Sequence, residues 1–181
     1  MIKNIIKLSP HFSFTVWGGT ELSQKKGLDL PPEKKLGESW EISTLPQGPS
    51  QTSAGPLNQL FDVEQLPYLV KFIDTAQALS VQVHPDDQAA KDVGADKGKD
   101  ECWLILGAQA NAGIYLGLKP SVDRSRLESA LKSGEDLSLL LNYYPVKPGD
   151  FFYVPAGTVH ALGPGLLLLE VQQSCGITYR L

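Results

Sequence analysis

The sequence predicts an all-β domain, a β-sandwich or barrel interrupted by one helical segment. Seventeen Gly and thirteen Pro divide the 181 residues into short strand-like runs, a pattern typical of sandwiches and barrels. Helical spacing of apolar residues is confined mainly to one stretch, around residues 121–141. No linker is long enough to separate two units, so we place a single domain over residues 1–181.

The predicted strands are rich in β-branched, aromatic and aliphatic residues and are bounded by turn signals. A short strand, SWEIS (39–43), interrupts residues 31–56, which otherwise have the composition of a loop. The stretch DDQAAKDVG (86–94) predicts a brief helical turn. The remaining predicted strands are PYLVKFI (67–73), ALSVQVH (78–84), ECWLILG (101–107), AGIYLGL (112–118), DFFYVPA (150–156) and LLLLEVQQ (166–173).

The helical segment contains two predicted helices. In the first, Leu127, Ala130 and Leu131 lie at helical spacing. We expect Ser121 to cap the start of this helix and Gly134 to end it. The second helix is shorter and carries Leu137, Leu140 and Leu141.

The composition argues against several classes of protein. The net charge of −4 argues against a general nucleic-acid binder. No apolar run approaches the roughly 20 residues that span a bilayer, and the N-terminus lacks the pattern of a secretory signal. The spacing of Cys102 and Cys175 does not demand a disulfide, and reduced thiols favour the cytoplasm. We therefore expect a cytoplasmic protein that binds neither nucleic acid nor membrane.

The stretch LSVQVHP (79–85) places polar side chains on one face of a strand. Alternation sets Gln82 and His84 on one face and aliphatic residues on the other. A second strand, KDECWLIL, presents Glu101, and the turn in VPAGTVHAL precedes His160. An amide, a carboxylate and two imidazoles together suit a divalent transition metal, Zn²⁺ or Fe²⁺.

Each of these residues alone has a more ordinary explanation. A histidine on a strand is more often a structural residue than a ligand, and a lone Glu101 is most often solvated or salt-bridged. The combination is what favours a metal site. His11 has no polar partner at useful spacing, so we interpret it as a surface or structural residue. Cys102 has no adjacent histidine, which argues against a nucleophilic cysteine.

The sequence resembles the type I mannose-6-phosphate isomerases, in particular the shorter bacterial form. The resemblance implies a cupin fold, a β jelly roll with a helical segment between the two halves of a metal site. It also implies one metal ion, usually Zn²⁺, held by Gln82, His84, Glu101 and His160. The matching stretches are WGG (17–19), GESWEIS (37–43), LPYLVKFIDT (66–75), LSVQVHPDD (79–87), GKDECWLIL (98–106), PVKPGDFFYVPAGTVHAL (145–162) and LLLLEVQQSCGITYR (166–180).

The resemblance further implies an enzyme that interconverts mannose 6-phosphate and fructose 6-phosphate through a cis-enediol. Arg180 and Lys99 match catalytic residues of the family, and Lys99 also lies in its substrate pocket. Ser80 matches a serine beside the substrate phosphate, and Glu38 matches an acidic residue that lines the pocket. A divalent metal and nearby cations would stabilise the negative charge that develops on oxygen. The implied partner is a small hexose phosphate.

Two features depart from the family pattern. Cys175-Gly176 stands where the family commonly has Ser-Asp, so an acidic side chain that could orient Arg180 is missing. Only Leu181 follows Arg180, whereas bacterial relatives continue into a smaller β domain that we expect to be absent here. We expect residues 177–180 to pair as a strand, with Arg180 held less firmly than in longer relatives and activity low or absent.

Two alternatives to an active isomerase remain open. The first is a non-catalytic cupin that binds a sugar phosphate for regulation, which the glycine at position 176 favours. The second is an iron-dependent cupin oxygenase. We rank the oxygenase lowest, because such an enzyme does not need Lys99 and Arg180 to receive an anionic substrate.

Overall fold

The computed structural model describes residues 5–181 and contains two main antiparallel sheets and one short hairpin. Among these residues no strand pairing closes the two main sheets into a barrel, so the architecture is a β-sandwich. The all-β prediction is confirmed. The strands are β1 (His11–Gly19), β2 (Leu36–Ile42), β3 (Gln51–Thr52), β4 (Gly55–Pro56), β5 (Tyr68–Thr75), β6 (Gln82–Val83), β7 (Glu101–Ala108), β8 (Gly113–Leu118), β9 (Leu141–Pro145), β10 (Phe151–Val154), β11 (His160–Leu162), β12 (Leu166–Gln173) and β13 (Tyr179–Arg180).

The larger sheet has six strands in the order β1-β2-β5-β12-β7-β10, and the smaller has five in the order β13-β6-β11-β8-β9. Strand β12 shows how alternation builds the interior, because Leu166, Leu168, Glu170 and Gln172 are all buried. The apolar members of this row pack with residues of the second sheet such as Ile114. The charged and amide members continue the same row towards a polar cavity.

The helical insertion is confirmed, with a different cap from the one predicted. In the described part of the chain the α-helices are α1 (Glu21–Lys25), α2 (Asp87–Asp92) and α3 (Arg124–Ser133), and short 3-10 helices cover 57–59 and 137–140. Asp123, and not Ser121, caps α3, because its carboxylate accepts the backbone N–H of Arg126 at 2.7 Å. Gly134 ends α3 as predicted, with the positive φ of 70° that glycine tolerates.

Several strand predictions were incomplete, and the short strands β3, β4 and β11 were not predicted at all. The predicted strand 78–84 shortens to β6, because within residues 5–181 its ladder partners are one residue of β11, His160, and the pair Tyr179–Arg180 of β13. Strand β1 was missed, since its residues alternate without clear turn signals. Strand β9 was also missed, because Leu141 leaves the helical insertion and pairs with β8.

The structure also bears on membrane-spanning helices and on the two cysteines. No helix within residues 5–181 is long and apolar enough to cross a membrane. Cys102 and Cys175 are both free thiols, and burial raises the pKa of the Cys102 thiol. A raised pKa disfavours the reactive thiolate, in agreement with the interpretation of Cys102 as non-nucleophilic.

Candidate metal centre

Three buried side chains from both sheets converge at one point inside the sandwich. One ligand atom each from His84, Glu101 and His160 lies within 4.8 Å of the other two. Glu101 begins β7 in the larger sheet, whereas His160 begins β11 in the smaller one. The Cα pairing of His160 with Gln82 across β11 and β6 brings the histidine-bearing segments together.

The hydrogen bonds of the two histidines fix how each ring is protonated. Nδ1 of His84 lies 3.1 Å from the carbonyl oxygen of Ile177, and Nδ1 of His160 lies 2.8 Å from that of Thr158. A carbonyl oxygen can only accept, so each Nδ1 carries the proton and donates it. Each Nε2 therefore presents a lone pair to the shared centre, which is the arrangement typical of metal-bound imidazole.

Electrostatics keep the cluster in the protonation states that a metal needs. Burial, reinforced by the ammonium of Lys99, lowers the pKa of His84 to about 3, so this imidazole is neutral at physiological pH. Burial alone would raise the pKa of Glu101, but the neighbouring ammonium of Lys99 outweighs it and holds that pKa well below its usual range. The cluster thus offers a neutral imidazole from His84 and an ionised carboxylate from Glu101, with the imidazole of His160 beside them.

One oxygen of Glu101 has no hydrogen-bond donor. Oε1 lies 3.2 Å from Nε2 of His160, but that nitrogen carries no proton and cannot donate. This leaves Oε1 buried and unsatisfied, at a cost of about 1–3 kcal/mol. A cation at the centre would satisfy this oxygen.

Gln82 and Lys99 complete the surroundings of the cluster. The amide of Gln82 lies 3.1 Å from Nε2 of His160, and a rotation of the amide would turn its oxygen to the same centre. Nζ of Lys99 lies 2.8 Å from Nε2 of His84 and also contacts Oε2 of Glu101. The donor set of one amide, one carboxylate and two imidazoles fits a divalent transition metal.

The cluster adjoins a cavity of about 540 Å³ between the sheets, a volume that suits a small polar ligand. The other five predicted site residues all line this cavity: Glu38, Ser80, Gln82, Lys99 and Arg180. Arg180 pairs with Gln82 across β13 and β6, so the two side chains share a face. The strand predicted over residues 177–180 is thus shorter in the structure, where β13 contains only Tyr179 and Arg180.

Two charged residues that line the cavity, Lys71 and Glu170, were not predicted from the sequence. Nζ of Lys71 lies 3.0 Å from Oε1 of Glu170 and 3.7 Å from Oε1 of Glu38. Burial would lower the pKa of Lys71, but the neighbouring carboxylates more than reverse this and raise it. A charge at an inward position of an apolar strand, as in YLVKFI and LLLLEV, is the signal that would have identified both residues.

The departure at positions 175–176 also has a structural counterpart. Gly176 is at the cavity rim, where an added Cβ would lie only 2.3 Å from Nε2 of Gln47. The side chain of Gln47 therefore occupies space that a larger residue at position 176 would need. Within residues 5–181, Arg180 forms no ion pair.

Comparison with known proteins finds similar chains that are described as mannose-6-phosphate isomerases. A Bacillus subtilis (strain 168) protein described as a probable mannose-6-phosphate isomerase, GmuF, is 41% identical over 96% of this chain and 59% of its own length. The mannose-6-phosphate isomerase of Streptococcus mutans is 39% identical over 91% of this chain and 56% of its own. The chain therefore spans somewhat less than two thirds of the length of these relatives.

A solved structure agrees with the fold. The crystal structure of the mannose 6-phosphate isomerase from Bacillus subtilis matches with a TM-score of 0.86 at 38% identity, over 97% of this chain and 60% of that one. This likeness confirms the predicted cupin fold. The family model described as phosphomannose isomerase type I, catalytic domain, matches residues 5–101, which is more than half of the 181 residues. The chain belongs to the type I phosphomannose isomerase family.

Proposed function

We propose that this chain is the catalytic part of a metal-dependent aldose–ketose isomerase that interconverts mannose 6-phosphate and fructose 6-phosphate. The observation that carries the proposal is the convergence of His84, Glu101 and His160 beside a charged cavity. The proposal includes Gln82 as the fourth ligand and Zn²⁺ as the metal. It also treats residues 1–181 as one metal-binding domain.

The charges around the cavity favour a doubly negative substrate. Its cations are Lys71, Lys99 and Arg180, and its carboxylates are Glu38 and Glu170, with Glu101 at the metal cluster. Three positive and three negative charges cancel, so a bound divalent ion leaves an excess of two positive charges. A phosphate monoester carries nearly that charge in the opposite sense at neutral pH. Ser80, on the rim of the cavity, can donate a hydrogen bond to such a phosphate.

The isomerisation moves one proton between C1 and C2 of the open-chain sugar. When bound, the divalent ion would polarise the sugar oxygens as a Lewis acid. Lys99 and Arg180 place positive charge where the enediol oxygens become negative. The carboxylate of Glu170 in the cavity can accept a proton from one carbon and return it to the other. Trp103 and Lys71 hold the Glu170 carboxylate in place.

A coupled assay tests this function. The Zn²⁺-loaded chain is supplied with mannose 6-phosphate, and formation of fructose 6-phosphate is followed together with metal content. Turnover that His84→Ala abolishes would support the isomerase. Binding of the sugar phosphate without turnover would replace the isomerase by the regulatory cupin. Iron as the metal retained after expression, without isomerase turnover, would favour the oxygenase instead.

The location of this activity follows from thiol chemistry. Cys175 is buried at the wall of the cavity, and Cys102 is partly exposed; both are free. Unpaired cysteines persist in a reducing compartment, so we place the protein in the cytoplasm. Detection of a Cys102 adduct or disulfide in protein isolated under alkylating conditions would argue against that location.

A further inference from the structure

Asp100 lies between two residues of the proposed active site but faces the other way. Lys99 and Glu101 are buried, whereas Asp100, which immediately precedes β7, is only partly buried. Its carboxylate therefore projects from the outside of the larger sheet. There it lies beside the segment that connects the two sheets.

That segment, residues 155–159, carries the chain from the end of β10 in the larger sheet to His160 in the smaller one. Oδ1 of Asp100 accepts the backbone N–H of Ala156 at 2.7 Å. The next residue, Gly157, donates its N–H to the carbonyl oxygen of His84 at 2.8 Å. The connection is thus fastened on one side to the strand of Glu101 and on the other to the segment of His84.

Asp100 is itself held by two further hydrogen bonds. The hydroxyl of Tyr153 donates to Oδ2 of Asp100 at 2.7 Å, and the backbone N–H of Asp100 donates to Oε1 of Gln173 at 2.8 Å. The carboxylate therefore has a defined position with both oxygens in use. A hydrogen bond from a backbone N–H to a carboxylate is among the stronger kinds in proteins.

We propose that Asp100 is a positioning residue for the metal centre, which sets the distance between the Glu101 carboxylate and the His160 imidazole by fixing the 155–159 connection at Ala156. The inference rests on the proposed metal site. Asp100 touches neither the metal cluster nor the cavity, and it acts only through the connection. Residues that orient metal ligands in this way commonly contribute 10–100-fold to metal affinity.

Three substitutions separate position from charge. Asp100→Ala removes the carboxylate charge and both side-chain hydrogen bonds. Asp100→Asn removes the same charge, but its amide can still accept from Ala156 and donate to the hydroxyl oxygen of Tyr153. Asp150→Ala is the matched control, because Asp150 also accepts a backbone N–H, from Lys147 at 2.8 Å, at the opposite end of β10.

The measurements are the Zn²⁺ dissociation constant, by competition with a chromophoric chelator, and the visible absorption spectrum with Co²⁺. We expect Asp100→Ala to weaken Zn²⁺ binding by about 10–100-fold and to change the Co²⁺ bands, which report ligand geometry. Asp100→Asn should remain within about threefold of the wild type. Asp150→Ala should bind both ions as the wild type does.

Each outcome decides the question. Wild-type affinity and an unchanged Co²⁺ spectrum in Asp100→Ala would overturn the positioning role while leaving the metal site intact. Equal weakening in the Ala and Asn variants would also overturn it, because charge alone would then explain the effect. A wild-type chain that binds neither ion would overturn the metal site and this inference with it. If Asp100→Ala does not unfold cooperatively, Asp100→Leu, which keeps the branched Cγ of aspartate but no hydrogen-bonding atom, takes its place under the same criteria.

Discussion

The indole N–H of Trp103 donates a hydrogen bond of 2.9 Å to Oε2 of Glu170. The same ring lies edge-on to the imidazole of His160, with 5.4 Å between the ring centroids. Trp103 is 1% exposed, so both contacts are fixed by close packing. One buried side chain thus connects a proposed metal ligand to a proposed proton-transferring carboxylate.

Trp103→Phe should therefore affect both stability and the site. It leaves Oε2 of Glu170 without this donor and opens space beside His160, at a combined cost of about 2–4 kcal/mol in the free energy of unfolding. Urea denaturation and Zn²⁺ titration measure the two effects. Trp40→Phe is the control, because Trp40 donates a similar bond to Glu38 at 2.6 Å, and the aromatic contact recorded for its ring is with His11. Equal Zn²⁺ affinity in both variants would contradict the role of the Trp103 ring.

Loss of either proposed imidazole ligand should abolish tight metal binding. In His84→Ala and His160→Ala we expect Zn²⁺ affinity to fall by at least about 10–100-fold. That range is typical for loss of a residue that only hydrogen-bonds a metal ligand, and loss of the ligand itself should cost no less. Elemental analysis after gel filtration measures the metal retained. His11→Ala serves as control, since His11 packs on Trp40 at the end of β1. Full metal content in either ligand variant would show that the ligand assignment is wrong.

The stability of the metal-free protein should depend on pH through His84. Its pKa is lowered from 6.5 to about 3 in the folded state, so between these values only the unfolded chain takes up this proton. The contribution of His84 is therefore present above pH 6.5 and is lost as the pH falls towards 3. In His84→Gln this proton uptake is absent, and the stability difference between wild type and variant should become less favourable to the wild type as the pH falls. A difference that stays constant from pH 6.5 to about 4 would refute the shift.

Lys99→Met should separate metal binding from turnover. In the metal-free protein the Lys99 ammonium compensates Glu101, so its loss should destabilise that form by about 3–5 kcal/mol. Zn²⁺ would replace the missing charge, and the rise in melting temperature on adding Zn²⁺ should exceed that of the wild type. Isomerase turnover should nevertheless fall, because the proposed catalytic cation is gone. Unchanged turnover would remove Lys99 from the mechanism.

Arg180→Ala should lower the catalytic rate more than the affinity for substrate. A fixed positive charge beside the developing enediolate is worth about 10²–10³-fold in kcat. Initial-rate measurements with mannose 6-phosphate give kcat and KM separately. Arg124→Ala is the control, because the Arg124 side chain is 92% exposed on α3 and pairs with Glu128. A change confined to KM would assign Arg180 to binding alone.

The parts of the fold that could be predicted are those set by local pattern. Strand β12 was predicted with its observed bounds, because LLLLEVQQ has one buried row and clear turns at both ends. Strand β6 was predicted too long, because its length is limited by how few residues of β11 and β13 pair with it, and these strands are distant in sequence. The cap of α3 was misplaced by two residues, since serine and aspartate are nearly equal as caps and tertiary context decides between them.

The same distinction applies to the candidate site. Gln82 and His84 could be singled out because they are two residues apart in a strand. The ion pair of Lys71 with Glu170 could not, because its members are 99 positions apart and meet only through the pairing of β5 with β12. The role that we propose for Asp100 was equally hidden, since its contacts with the 155–159 connection join parts of the chain that are far apart in sequence.

The pairing of Gln82 with His160 has a consequence for the order of folding. These residues are 78 positions apart, and the strand that carries Gln82 is only two residues long. So short a strand gains little until both sheets exist, and the entropy of closing that long loop must be overcome first. In a refolding experiment the ability to bind metal should therefore return late. Zn²⁺ would then slow unfolding far more than it accelerates folding, so the metal would stabilise the assembled sandwich kinetically, by lowering its rate of unfolding.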